Sequence, residues 1–321
     1  VSDYIDLARN VPLSKNPVVH HDAKKNNQTY LEAWLFMDQE DKLKIPWLKW
    51  LLENPTVNFN RPSYVRNTVG EQILGNLPLV AIFQACDTGD LDLAMQVVNR
   101  VSLNETTLSE VVRQGDLKFI KLLFEDEEVQ SKFRRRSFLS SAFSTGNLEL
   151  VKYFLPEEAF LPEQALPSED ELIVAGEEGS LEIVTYLLNL LRQNEEIDTQ
   201  SKVRAMLVGA VRKGNYESVK HIFADYPTVI ADDAIDDKRS LLVAASGTRN
   251  AATLNYLCDR FKMEPNKACV IAAVEAGSQS VLHYLSRRLN LSPDWSNSHL
   301  LFLPSVQAFF LKNCKGLESL E

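Results

Sequence analysis

Glycine recurs along residues 80–285 inside a fixed frame, A-x-x-x-G-[DNS]-[LY]-x-x-[AVI]-x-x-apolar, and a repeat of this kind constrains the fold more than any single residue. The plainest copies read VVRQGDLKFIKLL (111–123), AFSTGNLELVKYF (142–154), AGEEGSLEIVTYL (175–187) and AVRKGNYESVKHI (210–222). The turn glycines Gly89, Gly115, Gly146, Gly179, Gly214 and Gly277 follow one another at spacings of 26, 31, 33, 35 and 63. The longest gap holds one more copy, SLLVAASGTRNAATLNYL (240–257), with Arg249 at the glycine position, so seven units fit.

Each unit reads as a helix, a glycine turn and a second helix. Glycine can adopt the left-handed backbone that ends one helix, where a residue with Cβ would cost roughly 1–2 kcal/mol. Four residues before it stands Ala85, Ala142, Ala175, Ala210, Ala245 or Ala273, and once Val111, so that neighbouring helices can approach closely. After it, apolar residues such as Leu148, Val151 and Phe154 form one stripe at helical spacing. One unit cannot bury two such stripes, so neighbours must stack into an all-α or nearly all-α solenoid. The missing glycine at Arg249 predicts a shifted or lengthened helix end and a weak point there.

The windows before each glycine (TTLSEVVRQG 106–115, SFLSSAFSTG 137–146, DELIVAGEEG 170–179) and the G-x-L-x-x-V-x-x-L after it resemble the two helices of an ankyrin repeat. The resemblance implies about seven ankyrin-like repeats over 76–291, a helical cap or flank over 1–75, and a capping helix with a tail over 292–321. It covers roughly two-thirds of the chain and departs from the family in two ways. The T-P-L-H tetrapeptide is missing, its histidine position reading Phe83, Ser109, Ser140, Ile173, Val208, Val243 and Ile271. Hydrogen bonds that would tie helix starts to neighbouring loops must then come from elsewhere or be replaced by packing. The hairpins between repeats are replaced by irregular links such as 156–170 and 192–204.

What the resemblance implies for function is protein recognition on a concave face formed by rigid helices. The two residues before each turn glycine would face it: Asp87-Thr88, Arg113-Gln114, Ser144-Thr145, Glu177-Glu178, Arg212-Lys213 and Glu275-Ala276. Degenerate repeats with irregular loops also resemble those of host-directed effectors of intracellular bacteria or viruses, which would place the chain in a host cytosol.

A net charge of −10 and a pI near 5.2 argue against a nucleic-acid binder and for a protein partner with a basic or mixed-charge surface. The absence of a run of 18 apolar residues predicts no membrane span. Cys86, Cys258, Cys269 and Cys314 form no C-x-x-C pair and read as buried thiols in a reducing, cytoplasmic setting. Phosphate-cradle, zincin and nucleophile-elbow motifs are absent, so the sequence favours recognition over catalysis and implies neither cofactor nor metal. The rival catalytic reading is a cysteine-dependent hydrolase built partly from 1–75; Cys258 with His283 on the next repeat is one nucleophile-base pair to weigh against a small core residue. His20-His21-Asp22 reads as a solvated loop rather than a metal site. Trp47 and Trp50 form an apolar face in the flank, and KFRRRSF (132–138), just after EDEE (125–128), reads as a solvated link.

Overall fold

The computed structural model describes residues 49, 52–53, 63–66, 72–75, 82, 85–86, 89–156, 166–193, 199–293 and 301–320. Outside them lie His20-His21-Asp22, Trp47, Trp50, the proposed site residues Asp87 and Thr88, and the middle of both irregular links. The chain divides into two compact units, Val1–Phe138 and Leu139–Glu321.

The first unit contains a short antiparallel ribbon of β1 (Ser63–Arg66) and β2 (Gln72–Gly75), with Ser63 opposite Gly75 and Arg66 opposite Gln72. This ribbon departs from the wholly helical reading of the flank. Helices follow, those whose bounds are described being α1 (Leu91–Val98), α2 (Glu105–Gln114), α3 (Leu117–Glu125) and α4 (Glu127–Lys132). Each starts where a short polar side chain accepts otherwise unpaired backbone N–H groups, from Asp90, Asn104, Asp116 and Asp126 in turn. The cap at Asp126 corrects the expectation of a solvated link, because it starts α4 inside the charged run. A 3-10 turn, Arg135–Phe138, then carries Phe138 into the core. There its ring lies edge-on to Phe124 at 5.3 Å, and both side chains are fully buried.

The second unit is built of helices, with one isolated antiparallel bridge between Ser292 and Lys315 among its described residues. Its helices are α5 (Leu139–Phe143), α6 (Leu148–Phe154), α7 (Glu169–Glu178), α8 (Leu181–Arg192), α9 (Thr199–Lys213) and α10 (Tyr216–Asp225). They continue with α11 (Ile235–Ser246), α12 (Ala251–Phe261), α13 (Lys267–Glu275), α14 (Gln279–Arg288) and α15 (Pro304–Asn313). Odd-numbered helices pack on their odd-numbered neighbours and even on even, giving two layers joined by the pairing within each repeat. The alanines Ala142, Ala175, Ala210, Ala245 and Ala273 are all fully buried in the odd layer. In α6 the buried face runs through Leu150, Val151 and Phe154, while the expected Leu148 is only half-buried beside the turn.

The closest approach in the odd layer is between α7 and α9. A Cβ placed on Gly176 would lie 2.1 Å from the Met206 carbonyl oxygen, and one on Gly209 would lie 2.0 Å from that of Ile173. Backbone therefore meets backbone in both directions, and no side chain can fit between.

Turn geometry follows the expectation in part. Gly115, Gly146, Gly214 and Gly277 have φ of 78, 67, 76 and 63°, the left-handed region. Gly179 instead is extended at φ −70° and ψ 147°, with Ser180 capping α8 directly after it. At the sixth copy α11 ends at Ser246, three residues before Arg249, as α5 ends three before Gly146, and Arg249 keeps a negative φ. The Thr248 hydroxyl donates to Ala245 O at 2.8 Å and accepts from Asn250 N at 3.2 Å, as Thr145 does between Ala142 O (2.7 Å) and Asn147 N (3.0 Å). Side-chain bonds close this turn without glycine.

Candidate protein-recognition face

The hydrogen bonds that the missing tetrapeptide would have supplied come from the start of the second helix. Asn215 Nδ2 reaches back to Gly176 O at 2.9 Å and Glu177 O at 3.2 Å. Asn250 Nδ2 and Thr253 Oγ1 donate to Gly214 O at 2.8 and 3.2 Å, and Ser280 Oγ donates to Arg249 O at 2.9 Å. Gln307 of α15 ends the series on Glu275 O at 3.1 Å. From the α7–α8 turn onward each turn is thus pinned to the next element, and the odd-layer side chains beside these turns are held in register.

On the outer face of that layer the residues six before each turn position form a stripe. Ile173, Val208, Val243 and Ile271 occupy the same register on α7, α9, α11 and α13, and each is half-buried. Residues four apart share a helix face, so Glu177, Arg212, Gly247 and Glu275 flank the stripe on the turn side. Glu169, Arg204, Arg239 and Lys267 flank it on the other side and are all exposed. Between α9 and the start of α11 the stripe opens into a groove of about 540 Å³, where Ile173, Ala205 and Val208 meet Val229 and Ile230. An apolar centre with a charged rim is the anatomy of a protein-binding patch. The signal for it is present in the sequence as a column of β-branched residues at one register.

The residues expected to read a partner are placed unevenly. Arg113 and Gln114 are exposed on α2, where Arg113 pairs with Glu110 at 2.6 Å. Ser144 and Thr145 are half-buried, and their hydroxyls donate to Ser140 O and Ala142 O. Glu177, Glu178, Arg212 and Lys213 come together across the α7–α9 contact. Lys213 lies 2.8 Å from Glu178, and Arg212 lies 3.7 Å from Glu177. These charges satisfy one another, and at such exposure each pair contributes at most about 1 kcal/mol. Glu275 is exposed one turn beyond Ile271, and Ala276, at the end of α13, is half-buried.

Catalysis at Cys258 finds no support. The residue is fully buried and its thiol bonds to Tyr284, the neighbour of His283. Burial pushes the thiol up from 9.0 to about 11, only partly offset by that bond and by Arg288. It stays protonated near neutral pH, the wrong state for a nucleophile. His283 is exposed. Around Tyr284, Arg288 of α14 binds Glu264 at 2.7 Å, Asp259 of α12 at 3.2 Å and the Tyr284 hydroxyl at 2.6 Å. The guanidinium holds the Glu264 carboxyl below the usual carboxylate range. Cys258 and Tyr284 are therefore parts of a structural joint between repeats.

Among the described residues no cluster of three or more His, Cys, Asp or Glu is placed to hold a metal, and no helix is long and apolar enough to cross a membrane. No family model, curated protein or solved structure matches the chain.

Proposed function

We propose that the chain is a divergent ankyrin-like solenoid that serves as a protein-recognition scaffold and reads its partner with the outer face of the odd-numbered helices. One observation carries this reading: successive odd-numbered helices repeat, at one register, a β-branched residue that is only half-buried, between rows of charged side chains. A side chain needed only for packing would be buried, as the alanines two residues further on are at Ala175, Ala210, Ala245 and Ala273. Apolar residues left in a row at the surface of an otherwise polar face mark an interaction site. The backbone-tight α7–α9 contact and the turn-to-turn hydrogen bonds fix that row before a partner arrives, which reduces the ordering cost of binding. Buried thiols at Cys258 and Cys269 suit a reducing compartment.

Affinity capture with the immobilised chain tests the proposal. Proteins retained by the wild type and quantified by mass spectrometry are expected to be lost by a Val208→Asp/Ile271→Asp variant whose circular dichroism spectrum is unchanged. Retention of the same set by a folded variant would overturn the assignment of this face.

A further inference from the structure

The partner's own conformation and charge can be read from the same face, and this step rests on the recognition reading above. The odd layer offers helix sides and no strand edge, so an extended peptide laid on it would find no ladder for its N–H and C=O groups. A helix satisfies its own backbone and needs only an apolar stripe to cover another. Neighbouring helix axes lie about 8–10 Å apart, so a stripe across four helices runs about 25–30 Å, the length of a helix of about 16–20 residues.

The rim sets the charge. Arg204 is already matched by Asp237 at 2.5 Å, and Arg212 by Glu177. Arg239 and Lys267, beside Val243 and Ile271, are exposed and form no ion pair among the described residues. Asp236 lies a turn nearer the start of α11 and confines this cationic row to one turn. Lys267 also opens α13, where the helix N-terminus adds to its positive potential. Glu169 at the α7 end of the same row and Glu275 on the turn side of the stripe are exposed anions, so the cationic surface is local to Arg239 and Lys267 and governs only the edge that docks beside Val243 and Ile271. We infer that the face binds an amphipathic partner helix, its apolar side on Ile173, Val208, Val243 and Ile271 and an acidic edge over Arg239 and Lys267.

Three synthetic 20-residue amphipathic helices with one shared apolar side, and with acidic, basic or neutral edges, provide the probe. Fluorescence anisotropy against the full chain is expected to give the acidic-edged peptide an affinity at least about tenfold above the basic-edged one. Arg239→Glu/Lys267→Glu is expected to invert that order, with Lys267→Gln reducing it part-way. Val208→Asp is expected to weaken the acidic-edged peptide at least about tenfold. If acidic- and basic-edged peptides bind equally, and both lose binding in Val208→Asp, the charge assignment is overturned while the recognition face stands. If none of the three binds, or binding ignores Val208→Asp, the helix-docking inference is overturned; capture of proteins sensitive to Val208→Asp/Ile271→Asp would still uphold the face itself.

Discussion

Between α7 and α9 backbone touches backbone, whereas between α12 and α14 long side chains bridge the repeats. In the first contact Gly176 and Gly209 each face a carbonyl oxygen of the other helix, at distances that exclude even a methyl group. In the second, Arg288 joins Asp259, Glu264 and Tyr284, and Tyr284 bonds the buried Cys258 thiol. The first joint depends on the absence of atoms and cannot adjust, because its neighbours are main chain. The second depends on polar groups in a partly dry site, so it responds to protonation. The same repeat plan is thus held together by shape in one place and by electrostatics in another.

The largest effect is expected at the glycines. Gly176→Ala or Gly209→Ala should cost about 3 kcal/mol or more, because the added carbon meets backbone and the helices must separate. Urea denaturation of each variant measures this, and a loss under about 1 kcal/mol would mean that the contact has slack after all.

The polar joint should answer to pH. Unfolded Cys258 releases its proton near 9.0, whereas the folded protein keeps it to about 11. Between those values the unfolded state binds fewer protons, so stability is fully present below pH 9 and falls by roughly 2–3 kcal/mol as pH rises to 11. Burial also raises Tyr284, which acts in the same direction. Melts across that window should show a shallower decline in Cys258→Ala than in wild type. Identical slopes would remove the thiol as the source.

A smaller effect separates two turns that share one bonding scheme. Gly146 has φ 67° and open space around its Cα, so Gly146→Ala should cost only the backbone strain, about 1–2 kcal/mol. Arg249, at the matching place, keeps a negative φ, and Arg249→Gly should give no gain in stability. Comparison of the two melting shifts by calorimetry checks the pair. A stabilising Arg249→Gly would show that this turn is strained.

Helix pairs, their glycine turns and the buried alanines were legible because they arise from local spacing: 3.6 residues per turn and a glycine every 30 or so residues. The residues expected to read a partner were legible only as positions. Glu177 and Arg212 sit 35 residues apart in sequence, and nothing local reveals that their charges meet. Likewise Gly176 looked like one more small residue in DELIVAGEEG, since its constraint comes from Met206 on another helix. Arg249 misled for a related reason, because Thr248 and Asn250 close its turn with side-chain bonds that a glycine rule does not count.

By itself the sequence determined the helix pairs of the repeats, the buried alanines between them and most of their glycine turns, since these follow from backbone stereochemistry and burial along one element, whereas the ribbon of β1 and β2 and the start of α4 did not show in its periodicity. Only the tertiary structure decided which helices touch at bare backbone, which charges neutralise one another, and which apolar column stays half-exposed. Those outcomes depend on distances between residues far apart in the chain, and such distances are set by the packing of all the repeats together.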